Sequence, residues 1–444
     1  MFTKIHFKIE YLFSYIKRKF VFFLIGFIII TLSVIFKTQI IDFYNSPNFH
    51  TQIIGLEGLY TTNNLPKEIS NKISYGLTTI SENSKPINSP LVKSISIEND
   101  NKNYIFTLNE NFLWHNGKKF TSYDVDYQIS GATITPISNN QLKISLSTEF
   151  SPLLSILSKP FFKKNLIGLG QYQVKKITYQ DGYIKTLFLK SLDKSKSSLE
   201  YHFYSNESDV IDAFKLGNVD EIKIGSLPQE FINWKNTNIT KEIKTDDKYI
   251  AIFLNTQKII NKQTRQALSY ATPKPKDKNE RCLGPISPIS WAYNPSIKEY
   301  DLNSTRAKEL FNKDDLPEIN LTINNRNLLS MAEEIKNSWS NILGIKTSIS
   351  IVNQIDFQNF DAILAYSSTT NDPDQYSFWH STQTNTNITK LDNSRIDKLL
   401  EDGRTVVDSI ERKKIYQDFQ RYLLEESPAI FISYPITYNI NRTK

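Results

Sequence analysis

Between Tyr104 and Val125 the chain reads YIFTLNENFLWHNGKKFTSYDV. Tyr104, Phe106 and Leu108 alternate with polar or smaller residues, the period of a strand with one buried face. Asn116-Gly117, between Trp114 and Phe120, supplies the positive-φ positions that a tight hairpin turn needs. Thr121 followed three residues later by Asp124 is a helix N-cap pattern, so a helix is expected to start there. The order is therefore strand, hairpin, strand, helix start. No nucleophile or metal-ligand set falls within the stretch, and its role is structural.

A chain of 444 residues has room for two or three domains. Hydrophobic content of 39%, with 12% aromatic residues, is ample for real cores. The net charge of +7 invites a nucleic-acid reading, but its placement argues against one. Lys4, Lys8, Lys17, Arg18, Lys19 and Lys37 against Glu10 put +5 in the first 37 residues. Of the 53 basic and 46 acidic residues, that leaves 47 and 45 for all the rest. A nearly neutral body has no basic stripe to follow phosphates, so no nucleic-acid partner is expected.

Phe20 to Phe36 is a run of 17 residues without a charge, which Thr38 to Ile41 can extend. Its length is at the lower limit for crossing a bilayer. Lys17-Arg18-Lys19 stand directly before it and favour a cytoplasmic N-terminus. A cleaved signal peptide is the competing reading. The run is long for that, however, and Val34-Ile35-Phe36-Lys37 offers no small-x-small cleavage pattern. The expectation is a single-pass plasma-membrane protein: tail 1–19, transmembrane anchor 20–41, tether 42–50 and an extracytoplasmic body from 51. Cys282 is the lone cysteine, so neither an intrachain disulfide nor a lipid-bearing cysteine near the N-terminus is available.

Along the body, strands are expected at Ile53–Leu59, Leu142–Leu146, Tyr249–Asn255, Ile319–Ile323, Ile345–Ile351, Asp361–Tyr366 and Ala429–Tyr434. Helices are expected within Leu65–Leu77, at Arg265–Ala271, Ser304–Leu310 and Leu328–Leu343, and over the stretch carrying Ile415, Phe419, Tyr422 and Leu423. Gly344 and Pro428 stop the last two. Gly168-Leu169-Gly170 reads as a backbone turn, since neither GxGxxG nor GK[ST] follows. Pro285, Pro288 and Pro295 make Gly284–Pro295 an ordered loop. The order β-α-β-β after residue 318 indicates an α/β unit with at least one parallel pair.

These segments resemble, in order, the signatures of the family 5 extracellular solute-binding proteins of peptide ABC importers. Tyr104–Val125 is similar to that family's YTFxLRxGVKWHDGxPFTAEDV. Gly168–Tyr172 stands where the family has GTGPY, Ala213–Asp220 where it has ALKSGEIDI, and Arg265–Ala271 where it has VRQALxxAID. The stretch from Asp361 through Ser381 and then Leu391 to Pro435 follows the family's C-terminal pattern almost continuously. After Val125 the family's long excursion shrinks to ISGATITPISNN, so a peripheral part of the first lobe is trimmed. The resemblance implies an α/β, two-lobed periplasmic-binding-protein-like fold (type II, cluster C) behind the N-terminal transmembrane helix. Lobe I is expected at 51–256, returning at 429–444, and lobe II at 257–428.

The implied function is a membrane-anchored, monomeric solute-binding subunit that captures an oligopeptide or other small solute between hinged lobes. It would hand that solute to separate permease and ATPase subunits, for this chain has no ATP-binding motif. The alternatives are a tethered sensor or scaffold without transport, or a binder of a non-peptide solute. By the resemblance, Tyr366 is an aromatic pocket residue and Ser367 pairs its backbone with an extended ligand, with Ser368 beside it. Thr369 stands where peptide-binding members have an aspartate for the ligand's amino group, and a hydroxyl cannot neutralise an ammonium. Asp372 and Asp374 are nearby carboxylates that could substitute for it, with helix capping or turn formation as the other role for both, and Asp372 is the one carried forward as a candidate ligand-binding residue. Trp291 is expected to face the cleft from its loop. No GxSxG, HExxH or Cys/His arrangement occurs, so no enzyme is expected. His6, His50, His115, His202 and His380 lack i,i+3 or i,i+4 spacing, so neither metal nor cofactor is expected, and His115 reads as structural.

Overall fold

The computed structural model describes residues 51–99 and 101–443, with scattered positions between 14 and 32. The chain builds two lobes, each around its own sheet. In the first, seven strands lie in the order Thr237–Ile243, Ile436–Arg442, Glu221–Ile224, Thr51–Glu57, Ser198–Tyr204, Tyr183–Ser191 and Tyr172–Gln180. Thr51–Glu57 runs parallel to both its neighbours. The connection between those neighbours is the helix Glu207–Lys215, which Asn206 caps and which presses Val210, Ala213 and Phe214 into the core.

A second layer of this lobe is a four-stranded antiparallel sheet, Val92–Glu98, Asn103–Leu108, Gln141–Leu146 and Ala132–Ser138. Tyr104, Phe106 and Leu108 point into its core with Trp114 and Phe120, as the alternation required. The hairpin forms as well: Leu113 bridges Lys119, and Gly117 takes a φ of 80°. The expected helix start does not become a helix. Asp124 accepts the Thr121 N–H at 2.9 Å, but only a 3-10 turn, Ser122–Asp124, results. Val125 is already extended, at φ −83° and ψ 113°, and the shortened connection leads the chain into the strand Ala132–Ser138 eight residues after Asp124.

The second lobe's sheet runs Lys346–Ile351, Glu318–Ile323, Ala362–Ser368, Lys248–Leu254, Ala429–Ser433. Glu318–Ile323 is parallel to both its neighbours, and the helix Leu329–Leu343 joins it to Lys346–Ile351 before Gly344 ends the helix at a φ of 68°. On Lys248–Leu254, Tyr249, Ala251 and Phe253 face the C-terminal helices Ser394–Thr405 and Ser409–Glu426. Ile250, Ile252 and Leu254 face Lys262–Ala271 and Leu329–Leu343 instead. A strand apolar on both sides needs helices on both sides, and the second lobe supplies them.

That packing corrects the expected lobe boundaries. Lys248–Leu254 and Ala429–Ser433, assigned from sequence to lobe I, are both strands of the lobe II sheet. The chain crosses between lobes at residues 244–247 and 434–435 instead. Among the described residues no helix is long and apolar enough to cross a membrane. The expected anchor at 20–41, with its tail and tether, falls largely outside the described residues.

Candidate functional site

Parallel strands direct their carboxyl ends to one edge of a sheet, and in α/β folds that edge is where ligands sit. In lobe I this edge carries Glu57, at the end of Thr51–Glu57, and Glu207, just past the parallel strand Ser198–Tyr204. In lobe II it carries the end of Ala362–Ser368, which runs parallel to Glu318–Ile323. The two edges approach each other. Burial first, then the Glu57 and Glu207 carboxylates, pushes the Tyr366 phenol above its ordinary range. Glu57 is itself raised, by burial and then by Glu207, against the opposing pull of Lys248. Glu207 is anchored by the backbone N–H groups of Gly225 at 2.6 Å and Ser226 at 3.3 Å.

The lobe II wall has a half-unpaired strand. Lys248–Leu254 pairs with Ala362–Ser368 along its whole length, from Leu254 opposite Ala362 to Lys248 opposite Ser368. On the other edge, Glu318–Ile323 pairs only through Leu321–Ala362 and Thr322–Ile363 before it diverges. From Leu364 to Ser368 that edge has no strand partner among the described residues, and its peptide groups are free to accept one.

Four of the residues singled out from sequence lie on or beside this segment. Tyr366 is half-buried against the Leu329–Leu343 side of the sheet, Ser367 stands opposite Tyr249, and Ser368 is exposed. Thr369 donates its N–H to the carbonyl oxygen of Asp247 at 2.9 Å, and its buried hydroxyl oxygen has no hydrogen-bond partner among the described residues. The other two are elsewhere. Asp372 is buried and gripped by Arg412, with Nη2 to Oδ1 at 2.5 Å and Nη1 to Oδ2 at 3.1 Å. It also accepts the Ser155 hydroxyl at 3.1 Å, so its charge is committed within the protein and does not replace the family's aspartate. Trp291 packs on the C-terminal-helix face of the sheet, opposite to Tyr366, under the Arg412 guanidinium at 5.5 Å. Asp374 is likewise held, by Arg404 Nε at 3.0 Å.

Glu57, Glu207 and Lys67 were not singled out from the sequence. Lys67 Nζ reaches from lobe I to Asn371 Oδ1 at 2.5 Å. Burial lowers its pKa, and the nearby Asp246 and Asp247 oppose that. Glu57 was discoverable as the last residue of a strand with parallel neighbours. Glu207 and Lys67 carry no pattern beyond ordinary helix-end charges.

Three other reactive groups, His115, Cys282 and Lys274, are bonded to the protein's own backbone. His115 accepts the Gly168 N–H on Nδ1 at 3.3 Å, and its Nε2 lies 3.0 Å from the Gly170 carbonyl oxygen. Cys282 is buried, with its thiol pushed up to about 12, and it donates to the Gly284 carbonyl. A small pocket inside lobe II, away from the two facing sheet edges, is lined by Lys274, Cys282 and Tyr300. Burial lowers Lys274 to about 7. Its ammonium donates to the carbonyls of Ser269, Thr272 and Tyr300, so no donor is left for a ligand. Among the described residues no group of three or more His, Cys, Asp or Glu is arranged to hold a metal ion.

Residues 128–389 match the family model for bacterial extracellular solute-binding proteins, family 5 Middle. The chain is 25% identical to heme-binding protein A of Haemophilus influenzae over 247 residues, 47% of this chain and 45% of that protein. It thus spans less than half of that relative. Against the oligopeptide-binding protein AppA of Bacillus subtilis it is 20% identical over 454 aligned positions, covering 85% of this chain and 83% of AppA. Among solved structures, NikZ from Campylobacter jejuni in complex with Ni(L-His) superposes with a TM-score of 0.74 at 23% identity, covering 88% and 94% of the two chains. AppA from Bacillus subtilis, in complex with a nonapeptide, superposes with a TM-score of 0.70 at 19% identity over the same shares.

Proposed function

The chain belongs to the family 5 bacterial extracellular solute-binding proteins, and on that footing we propose that it is the solute-capturing subunit of a peptide-type ABC importer, holding an extended peptide in the crevice between its lobes. The observation that carries this reading is the open edge at Leu364–Ser368. A peptide in β conformation satisfies those free peptide groups whatever its side chains, which gives affinity with little sequence selectivity. Tyr366 then supplies apolar contact beside the backbone ladder.

Charge recognition in this reading shifts across the crevice. Thr369 cannot neutralise a peptide's amino group, whereas Glu57 and Glu207 bring negative charge from lobe I toward Tyr366. A ligand touching both walls contacts both only when the lobes are closed, so binding draws the population toward the closed form. That closed form would be the one presented to the permease, with ATP hydrolysis left to separate subunits. The basic cluster Lys17–Lys19 and the apolar run Phe20–Phe36 support a single-pass anchor with the body outside the cell.

Thermal unfolding of the full chain in detergent, with and without a pool of unmodified peptides up to nine residues long, tests the reading. Ligand at about a hundred times its Kd adds about 2.7 kcal/mol to the folded state, a rise easily read as Tm. Peptides N-methylated on alternate amides should lose the effect. If no peptide in the pool moves the transition, the proposal fails.

A further inference from the structure

Away from the crevice strand, one first-lobe segment reaches into lobe II. Ser151, just before the short helix Leu153–Ile156, donates its N–H to the Arg404 carbonyl at 2.8 Å and its hydroxyl to the Val406 carbonyl at 2.5 Å. Ser155, on that helix, donates to Asp372 Oδ2 at 3.1 Å. The Phe150 ring lies 5.2 Å from the Arg404 guanidinium. Leu153 and Leu157 root the segment in the core of the four-stranded sheet, so it moves with lobe I.

The receiving groups are fixed within lobe II. Besides its two bonds to Asp372, Arg412 donates Nε to the Gly403 carbonyl at 2.7 Å and lies 5.3 Å from the Tyr416 ring. Arg404 donates Nε to Asp374 and stacks 4.2 Å over Tyr376. Asp372 therefore keeps its orientation whether or not Ser155 is present. Oδ2 accepts from both Arg412 and Ser155, so a hydroxyl from the other lobe lands on a carboxylate already aimed at it.

We propose that Phe150–Ser155 is a latch of lobe closure, and that the Arg412-held Asp372 is its catch. When the lobes part, the two serines exchange their lobe II acceptors for water, and the Asp372–Arg412 pair stays intact. The latch stabilises the closed form in the absence of ligand, because none of its residues lies on the crevice edge at Leu364–Ser368. It thus sets how often an empty receptor closes, and it stands whether or not the solute is a peptide.

Single-molecule energy transfer on the ligand-free full chain reads this directly. Dyes on Lys93→Cys and Lys313→Cys, both exposed, report lobe separation, while buried Cys282 stays unlabelled. Removing a hydrogen bond to a charged acceptor should lower the closed-to-open ratio roughly tenfold in Ser155→Ala. Ser195→Ala, an exposed turn serine, should leave it unchanged. Asp372→Asn should open the protein further, with its Tm measured alongside to separate opening from unfolding. A Ser155→Ala ratio within twofold of the parent, or a parent that never samples two separations, overturns the latch. Neither result decides whether the solute is a peptide, which the thermal-unfolding test reads separately.

Discussion

His115 at the base of the hairpin is bound on both ring nitrogens to one short turn, Nδ1 to the N–H of Gly168 and Nε2 to the carbonyl of Gly170. Gly170 in turn donates its N–H to the Ile73 carbonyl at 2.8 Å. The hairpin of the four-stranded layer is thereby tied to the helix Lys67–Ile73 of the seven-stranded layer. An imidazole that accepts at Nδ1 and faces a carbonyl at Nε2 is the neutral tautomer protonated on Nε2.

This arrangement predicts a pH dependence. Burial lowers the His115 pKa below its ordinary 6.5, Lys175 adds to the drop, and the Gly170 bond only partly offsets it. A folded-state value below the unfolded one means that the unfolded chain takes up the proton first as pH falls. The stabilisation is therefore fully present above about pH 6.5, declines below it, and stops changing once the folded-state value is passed. Denaturant midpoints recorded from pH 7.5 to pH 5 should fall, and His115→Gln should flatten that slope. An unchanged slope in the variant would remove His115 as the source.

Two glycines on this junction should respond very differently to a methyl group. A Cβ on Gly168 would sit 2.0 Å from the Ile73 carbonyl oxygen, a backbone atom that cannot step aside. Gly168→Ala should cost at least about 2 kcal/mol, because the two layers must move apart. Gly117, at the hairpin tip, has nothing within 4 Å of such a Cβ, and only its φ of 80° opposes substitution. Gly117→Ala should cost about 1 kcal/mol. Paired urea titrations that give equal losses would contradict the packing described for Gly168.

Lobe II has its own test in Trp339. The indole is fully buried on the helix Leu329–Leu343 and donates Nε1 to the Thr272 hydroxyl at 3.0 Å, fastening that helix to the end of Lys262–Ala271. Trp339→Phe keeps most of the volume and loses the hydrogen bond, for about 1.5 kcal/mol. Trp339→Ala adds a cavity and should cost about 4 kcal/mol. Circular dichroism during urea unfolding checks the ranking, and a Phe variant as damaged as the Ala variant would show that packing shape governs the site.

Much of this architecture was legible because local physics agreed with the tertiary outcome. Tyr249–Leu254 is apolar on both faces, and a strand buried on both sides follows from that alone. Gly344 stops a helix wherever it is placed. Lobe membership was hidden, since the same apolar run fits any sheet covered on both sides, and only its pairing with Ala362–Ser368 decides which one. The helix expected from Thr121 and Asp124 failed locally: the cap formed, but Val125 turns extended and the shortened connection runs on to the strand at Ala132. At the site, Tyr366–Thr369 were reachable by resemblance to a motif next to Pro373. The turn role weighed for Asp372 does appear, in its bond from the Asp374 N–H at 3.0 Å, but its ion pair was out of reach, because its partners Arg412 and Ser155 are 40 and 217 residues away in sequence. Nothing around Asp372 distinguishes a free carboxylate from a paired one.

The assignment of the crevice rests finally on Tyr366. Its ring is half-buried near the end of a strand whose core anchors, Ala362, Ile363 and Leu364, lie further in. Tyr366→Ala therefore removes contact area at the crevice with little loss of core, and the Tm of the ligand-free chain should fall by only a few degrees. Affinity for a stabilising peptide from the pool should fall at least tenfold by calorimetric titration, because an aromatic anchor at a binding surface carries a disproportionate share of its energy. Trp291→Ala, on the opposite face of the same sheet, is the control and should leave affinity within about threefold. Blocking the peptide's amino group by acetylation should weaken binding to the parent chain, and Glu57→Gln should lose that discrimination if lobe I supplies the negative charge. Full affinity in Tyr366→Ala, or an equal loss in Trp291→Ala, would place the solute somewhere other than the open edge at Leu364–Ser368.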